Sequence, residues 1–261
     1  MSERVDGDPA FVLHTRPWRE TSLIVDIFSR HHGRLGLVAR GARRAGAALK
    51  ARLIPFQPLT LSWFGRAQLR TLHAAEWQGG GLMLRGHALM CGFYLNELLL
   101  RLLPEGDPHE TLFDHYTLAL AELNARLTVP PAPPSVRSRP PGGPSRSWGG
   151  PANDLSVEPV LRRFELDLLS ELGYAQSLGQ LADGGAIDPE AHYGYEIGNG
   201  VTLMAGGAQY SGRTLLAMAA GDFSLPATLA EGKLLMRILL AHHLGEKPLA
   251  TRQLLIDLQK L

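Results

Sequence analysis

Apolar and polar positions alternate through residues 9–77 and take up a helical period after them. Phe11, Leu13 and Thr15 form the first alternating set, a strand that the pattern ends before Pro17. Thr21–Ser29 (TSLIVDIFS) is β-branched and apolar enough for a central strand. Gly33–Arg40 sets Leu35, Leu37 and Ala39 against Arg34, Gly36, Val38 and Arg40, and His32-Gly33 marks the turn before it. A small-residue, basic stretch over 41–53 interrupts the series. Two more strands, 59–64 and 68–77, are joined through Gly65-Arg66 as a tight hairpin. Five short strands with one interruption after the third predict a small barrel of the OB type, with an SH3-like barrel as the competing pattern.

Gly79-Gly80-Gly81 closes this module, so the chain divides into residues 1–79 and 80–261. Residues 82–103 are apolar on nearly all sides, the mark of a central helix. A second helix spans 109–127, with Leu112, Tyr116, Leu120 and Leu123 on one stripe. Residues 128–151 hold eight of the eighteen prolines, and the loop over 128–153 is expected to be disordered, because it buries too little to offset its ordering entropy. A third helix begins near Ser156, buries Leu161, Phe164, Leu168 and Leu172, and stops at Gly173. Residues 175–210 are Gly-rich and irregular, with a hairpin over 195–203 around Asn199-Gly200. Residues 213–220 and 227–244 read as helices, and a last one starts at Thr251. The predicted class is α+β with two domains: a five-stranded barrel, then a mostly helical part carrying a small irregular insertion.

Charge separates the two parts. Residues 1–79 carry twelve Arg and Lys against six Asp and Glu, whereas the rest carries fourteen against nineteen. The overall +1 therefore hides a basic module beside an acidic one. A lone cysteine, Cys91, excludes a disulfide framework and a Cys-based zinc cluster, and its apolar setting predicts burial. No apolar run is long enough to span a bilayer, and acids at Glu3, Asp6 and Asp8 spoil any export signal, so the reading is cytoplasmic with no membrane partner. No phosphate-cradling Gly-Lys loop and no Gly-x-Ser-x-Gly elbow occur, and the chain is read as a non-enzyme without cofactors. His31-His32 and His242-His243 are adjacent residues whose side chains should diverge, which makes them poor metal pairs. His109 and His115 read as surface residues near helix starts.

Single-stranded nucleic acid is held by a cationic groove combined with aromatic faces. The barrel sequence offers both. Arg16, Trp18 and Arg19 fall in the first inter-strand turn, Arg34 and Arg40 on one face of the third strand, Arg43, Arg44, Lys50 and Arg52 in the connection after it, and Arg66 at the tip of the last hairpin. An OB barrel binds across strands two and three, between its first turn and last hairpin, and these cations fall there. Trp18, Phe64 and Trp63 are the candidate stacking platforms, with Trp63 favoured as core by its alternation with Leu59 and Leu61. Arg30 and Arg70 read as solvated strand edges.

Five stretches resemble the bacterial RecO family of recombination mediators: residues 11–44 with Arg16, Glu20 and Ser22; residues 53–77; residues 93–120; LRRFELDLLSELGY over 161–174; and residues 242–258. The resemblance implies an OB-fold barrel and a helical domain that bind single- and double-stranded DNA and anneal strands coated with single-strand binding protein. It also implies RecR and the C-terminal tail of single-strand binding protein as partners, help in loading recombinase, and association with the nucleoid. For the tail, Arg162, Arg163 and Phe164 are the candidate contacts, with Arg126 a weaker one; Arg162–Glu165 and Arg163–Asp167 ion pairs within the helix are the plainer roles. Many members carry four zinc-binding cysteines in the insertion. Here the insertion is zinc-finger-like without them, offers Asp183, Asp188, Glu190, His192 and Glu196 instead, and is expected to hold no metal. Two alternatives stand beside this reading: an RNA-binding OB protein tied to translation, and a metal-dependent hydrolase built on those acids.

Overall fold

Every second residue is apolar in the middle of one segment and along the two that follow it, and in an extended chain that puts one face of each inward. In a computed structural model, which describes residues 4–65, 69–128, 154–174, 177–203, 210–245 and 247–258, these segments are β1 (Arg4–Trp18), β2 (Ser22–Ser29) and β3 (Gly33–Ala39). A short helix α1 (Ala48–Arg52) follows, then β4 (Leu59–Phe64) and β5 (Leu69–Trp77). The strands close in the order β1-β2-β3-β5-β4, with β3 and β5 parallel and the other neighbours antiparallel. That order, with α1 between β3 and β4, is the OB arrangement. The barrel interior is filled by Val12, Val25, Ile27, Leu35, Leu37, Leu61, Trp63 and their neighbours.

The first strand differs from expectation. It runs through Pro9 and Pro17, because its two halves serve different partners: Arg4–Ala10 pairs with β4, and Ala10–Trp18 pairs with β2. Neither proline has an N–H to give, and the ladder absorbs this with register shifts between Val5 and Asp8 and between Val12 and His14. The second shift leaves Leu13 as the bulged residue. Arg66 and its turn lie outside the described residues.

The helical part comprises α2 (Gly86–Leu102), α3 (Glu110–Thr128), α4 (Asp154–Glu171), α5 (Gly212–Ala219), α6 (Pro226–Leu244) and α7 (Ala250–Leu258). Helix α2 is central, as its all-round apolarity predicts, and Cys91 is buried in it. The expected disordered loop over 128–153 falls outside the described residues from 129 onward. The insertion folds as a three-stranded sheet β7-β6-β8, built from β6 (His192–Glu196), β7 (Gly200–Thr202) and β8 (Tyr210–Ser211).

The barrel and the helices share one interface. Phe11, Leu13 and Phe28 turn outward from the barrel and join the helical core. The rings of Phe11 and Phe28 each lie 5.4 Å from that of Phe113, and Phe11 meets Tyr116 edge-on at 5.2 Å. Asn96, buried on α2, donates through Nδ2 to the carbonyl of the bulged Leu13 (2.8 Å) and accepts from the Tyr116 hydroxyl. Gly33, at φ +69°, packs so near the α2–α3 loop that a Cβ would sit 2.0 Å from the Asp107 carbonyl oxygen. Around the β2–β3 turn, Arg30 bridges to Asp114 and Glu110 rather than merely solvating an edge. His31 and His32 do not diverge: both present Nδ1 to the buried Asp8, at 2.6 and 3.5 Å. His109 is also no plain surface residue, since it is enclosed between Asp107 (3.4 Å) and Glu171 (3.9 Å).

Candidate nucleic-acid interface

Strand register fixes which side chains share the outer barrel face. Arg16, Ile24, Val38, Thr71 and Phe64 are successive cross-strand partners over β1, β2, β3, β5 and β4. At about 4.8 Å per strand, this row covers about 19 Å of contour. One step along β1, Trp18 stands opposite Ser22, and Arg40 follows the Leu23–Ala39 pair. In the other direction the face ends at Phe28 and Arg34, under the helical domain.

The β1–β2 turn and the connection after β3 are knitted together. Arg43 donates from its backbone N to the Thr21 carbonyl (2.9 Å) and from Nη1 to the Arg19 carbonyl (3.1 Å). Arg19 adopts the left-handed conformation (φ 51°), and its guanidinium lies 5.9 Å from the centre of the Trp18 ring, a cation–π contact. The Arg44 side chain folds back beside Gly41. The structure thus gathers Arg16, Trp18, Arg19, Arg40, Arg43 and Arg44 on one end of the barrel face, all exposed. Among the described residues none of those five arginines is in an ion pair, whereas Arg30, Arg162, Arg163, Arg213 and Lys233 all are. Unpaired guanidinia at this density repel one another and attract a polyanion.

The other candidate residues separate from this group. Arg34 does not reach the groove: its Nε donates to the Leu103 carbonyl (2.9 Å) and its own carbonyl accepts from Gly106 N, so it fastens the barrel to the end of α2. Lys50 and Arg52 are exposed on α1, with Arg52 Nη1 held by the Ala75 carbonyl (3.1 Å). Arg66 is outside the described residues. Trp63 is buried in the barrel against His32, and Phe64 is exposed at the far end of the row. Sequence reasoning passed over Trp77, which is 60% exposed at the end of β5. The glycine run after it was the available signal.

A second feature lies between α3 and α4, a cleft of about 220 Å³ lined by His115, Leu118, Glu122, Arg163, Phe164 and Asp167 among others. Arg163 Nη1 is 3.0 Å from Glu122 Oε1, not paired with Asp167, and Arg126 reaches the other Glu122 oxygen at 3.8 Å. Phe164 forms the floor, almost wholly buried. Burial raises the Asp167 carboxyl above its ordinary value, against the pull of His115 and Arg163. Arg162 is not part of this lining. It is buried with Glu165 (2.7 Å), which also accepts from the Tyr94 hydroxyl. An arginine made to pair inside the bundle is not free to read a ligand.

The acids of the insertion are spent on local turns. Asp183 Oδ1 accepts from Gly185 N and Asp188 Oδ1 from Glu190 N, both at 2.9 Å, while Glu196 holds Asn199 and Glu190 pairs with Arg213. They do not converge, and among the described residues no three or more His, Cys, Asp or Glu side chains are grouped so that they could hold a metal ion, so the residues here do not fit zinc. The sheet is fastened by burial of Tyr193, Val201 and Tyr210 and by Glu231, whose carboxylate accepts from Ser211 N (2.8 Å) and Oγ (3.0 Å). Among the described residues no helix is long and apolar enough to cross a membrane.

The family described as Recombination protein O N terminal matches residues 1–80, and Recombination protein O C terminal matches 83–136 and 152–253. The chain is 48% identical to the DNA repair protein RecO of Thiobacillus denitrificans, over 99% of this chain and 94% of that one. It is 46% identical to the same-named proteins of Nitrosospira multiformis (99% and 98%) and Aromatoleum aromaticum (100% and 99%).

Proposed function

The chain belongs to the RecO family of DNA repair proteins, and from that premise we propose that it is a non-enzymatic mediator that binds single- and double-stranded DNA and anneals complementary strands coated with single-strand binding protein. The observation that carries the reading is the set of five exposed arginines, none ion-paired among the described residues, around Trp18 on the OB face. Cations there neutralise phosphates while the indole offers a base a flat partner. Lys50 and Arg52 extend the positive surface. The α3–α4 cleft supplies the second half of the reading. Its apolar floor at Phe164 takes the last side chains of the acidic tail of single-strand binding protein, and Arg163, backed by Arg126, takes the carboxylates in exchange for Glu122. Holding the coated strand by protein and by phosphate raises the local concentration of complementary strands, and no nucleotide hydrolysis is needed for them to pair. In the same reading RecR joins the complex on coated gaps and recombinase is loaded there.

The test is annealing of complementary oligonucleotides without ATP, alongside a salt titration of single-strand binding. With about five phosphates neutralised, log K falls with a slope of about −3.5 against log salt, about a hundredfold between 50 and 200 mM. Arg43→Glu with Arg44→Glu lowers both affinity and slope. Affinity that ignores salt, or survives the double reversal, overturns the interface. Matched RNA competing better than DNA overturns the choice of nucleic acid.

A further inference from the structure

We propose that Trp77 is a second stacking site for a nucleobase, placed off the barrel face beside α1, so that a bound single strand runs from Trp18 past Lys50 and Arg52 to this indole. The inference rests on the barrel reading above and adds a site to it.

At 60% exposed, Trp77 is the most exposed Phe, Tyr or Trp among the described residues. A tryptophan left in water forgoes the burial of an area of about 150–250 Å², the largest single apolar gain a side chain offers. The fold had an obvious way to cover it, and uses glycines instead. Residues 79–81 are all glycine, and Gly79 and Gly80 turn the chain at φ +82° and +65°. Gly81 passes so near the indole that a Cβ there would lie 3.1 Å from Cζ2. Residues 79–81 therefore pass one edge of the ring without laying a side chain of their own over it.

The backbone that carries the ring is anchored. Trp77 is the partner of Leu59 in the β4–β5 ladder, Gln78 N donates to the Pro58 carbonyl (3.1 Å), and Gln57 Nε2 donates to the Leu82 carbonyl (2.7 Å) across the glycine turn. An open indole on a fixed strand end, with only two side-chain torsions to order, loses little freedom on binding, which suits a stacking platform. Phosphate contacts stand beside it. Arg52 Nη1 is bonded to the carbonyl of Ala75, two residues back along β5, or about 7 Å of strand. Arg52 and Lys50 are exposed and form no ion pair among the described residues. An indole flanked by unpaired cations suits a base with its phosphates better than an apolar protein surface, which would leave those charges without partners.

The experiment uses the full chain and fluorescent oligothymidylates, one of about 8 nucleotides, within the footprint of one OB barrel, and one several times longer. Trp77→Ala weakens the longer strand about tenfold and the short one far less, Trp77→Phe keeps most of the affinity, and the salt slope is unchanged because stacking releases no counterions. Cross-linking of the longer strand carrying 5-iodouracil to the unaltered chain labels Trp77, which tests the site even if a variant misfolds. Unchanged affinity in Trp77→Ala with loss in Arg43→Glu/Arg44→Glu, or no label on Trp77, overturns this site and leaves the barrel interface standing. No loss in either variant overturns the barrel reading and this inference with it.

Discussion

Asn96 is the polar joint between the two parts, and replacing it by leucine tests whether it is needed. The bulge at Leu13 frees a carbonyl from the β1–β2 ladder, and Asn96 Nδ2 is the donor that satisfies it. Its Oδ1 receives the Tyr116 hydroxyl, a group wholly buried and pushed by that burial far above its ordinary pKa, so it remains a donor. Leucine nearly conserves the volume and orphans both groups. Each buried polar group left without a partner costs about 1–3 kcal/mol, giving about 2–6 kcal/mol in all. For a chain of this size, at about 2–4 °C per kcal/mol, that lowers the melting temperature by about 4–24 °C. The decisive measurement is a double-mutant cycle by urea or thermal unfolding. Tyr116→Phe alone costs about 1–2 kcal/mol by leaving Asn96 Oδ1 short of its donor. Added to Asn96→Leu, the same change removes one orphan and is stabilising, so the double variant is more stable than Asn96→Leu alone. If the two losses simply add, or Asn96→Leu costs under about 1 kcal/mol, the joint is not what holds the parts together.

Burial holds Glu165 above the ordinary carboxylate value of 4.5, although Arg162 and the Tyr94 hydroxyl pull it down. The folded chain then keeps a proton that the unfolded chain releases, so stability falls as pH rises from near 4.5 through the raised value, and Glu165→Gln flattens that part of a stability–pH profile measured by urea midpoints. Gly33→Ala, which meets both a positive φ and the Asp107 carbonyl, costs about 1–3 kcal/mol in the same assay; a neutral result would mean that the α2–α3 loop moves aside freely. Arg163→Glu weakens binding of an acidic, apolar-ended peptide about tenfold or more in a titration while single-strand affinity stays within about twofold, whereas Arg126→Ala has a smaller effect.

The barrel strands were legible because burial on one side writes a period of two into the chain, as in Leu35, Leu37 and Ala39. The first strand was underread for the opposite reason. Its prolines, acids and glycine break the period where the ladder shifts register, and only the facing strand reveals why that is tolerated. The basic end of the face was also legible, since turn residues such as Arg43 and Arg44 had nowhere to be but outside. Arg34 was not: its alternation correctly placed it on the outer face, but nothing local says that the helical domain covers that end of the face. The same blindness applies to Arg162 and Arg163, neighbours on one helix, of which one turns into the bundle and the other into the cleft. A sequence states periodicity; it does not state which solvent-side residue another domain will claim.

The first strand has one more consequence. Because a single uninterrupted segment supplies both the partner of β2 and the partner of β4, the cylinder has no seam that can be sewn independently of the meander. A chain stripped of the residues before Ala10 would keep its hairpin but expose the flank of β4, a free row of amides and carbonyls of the kind on which copies recruit one another into insoluble stacks.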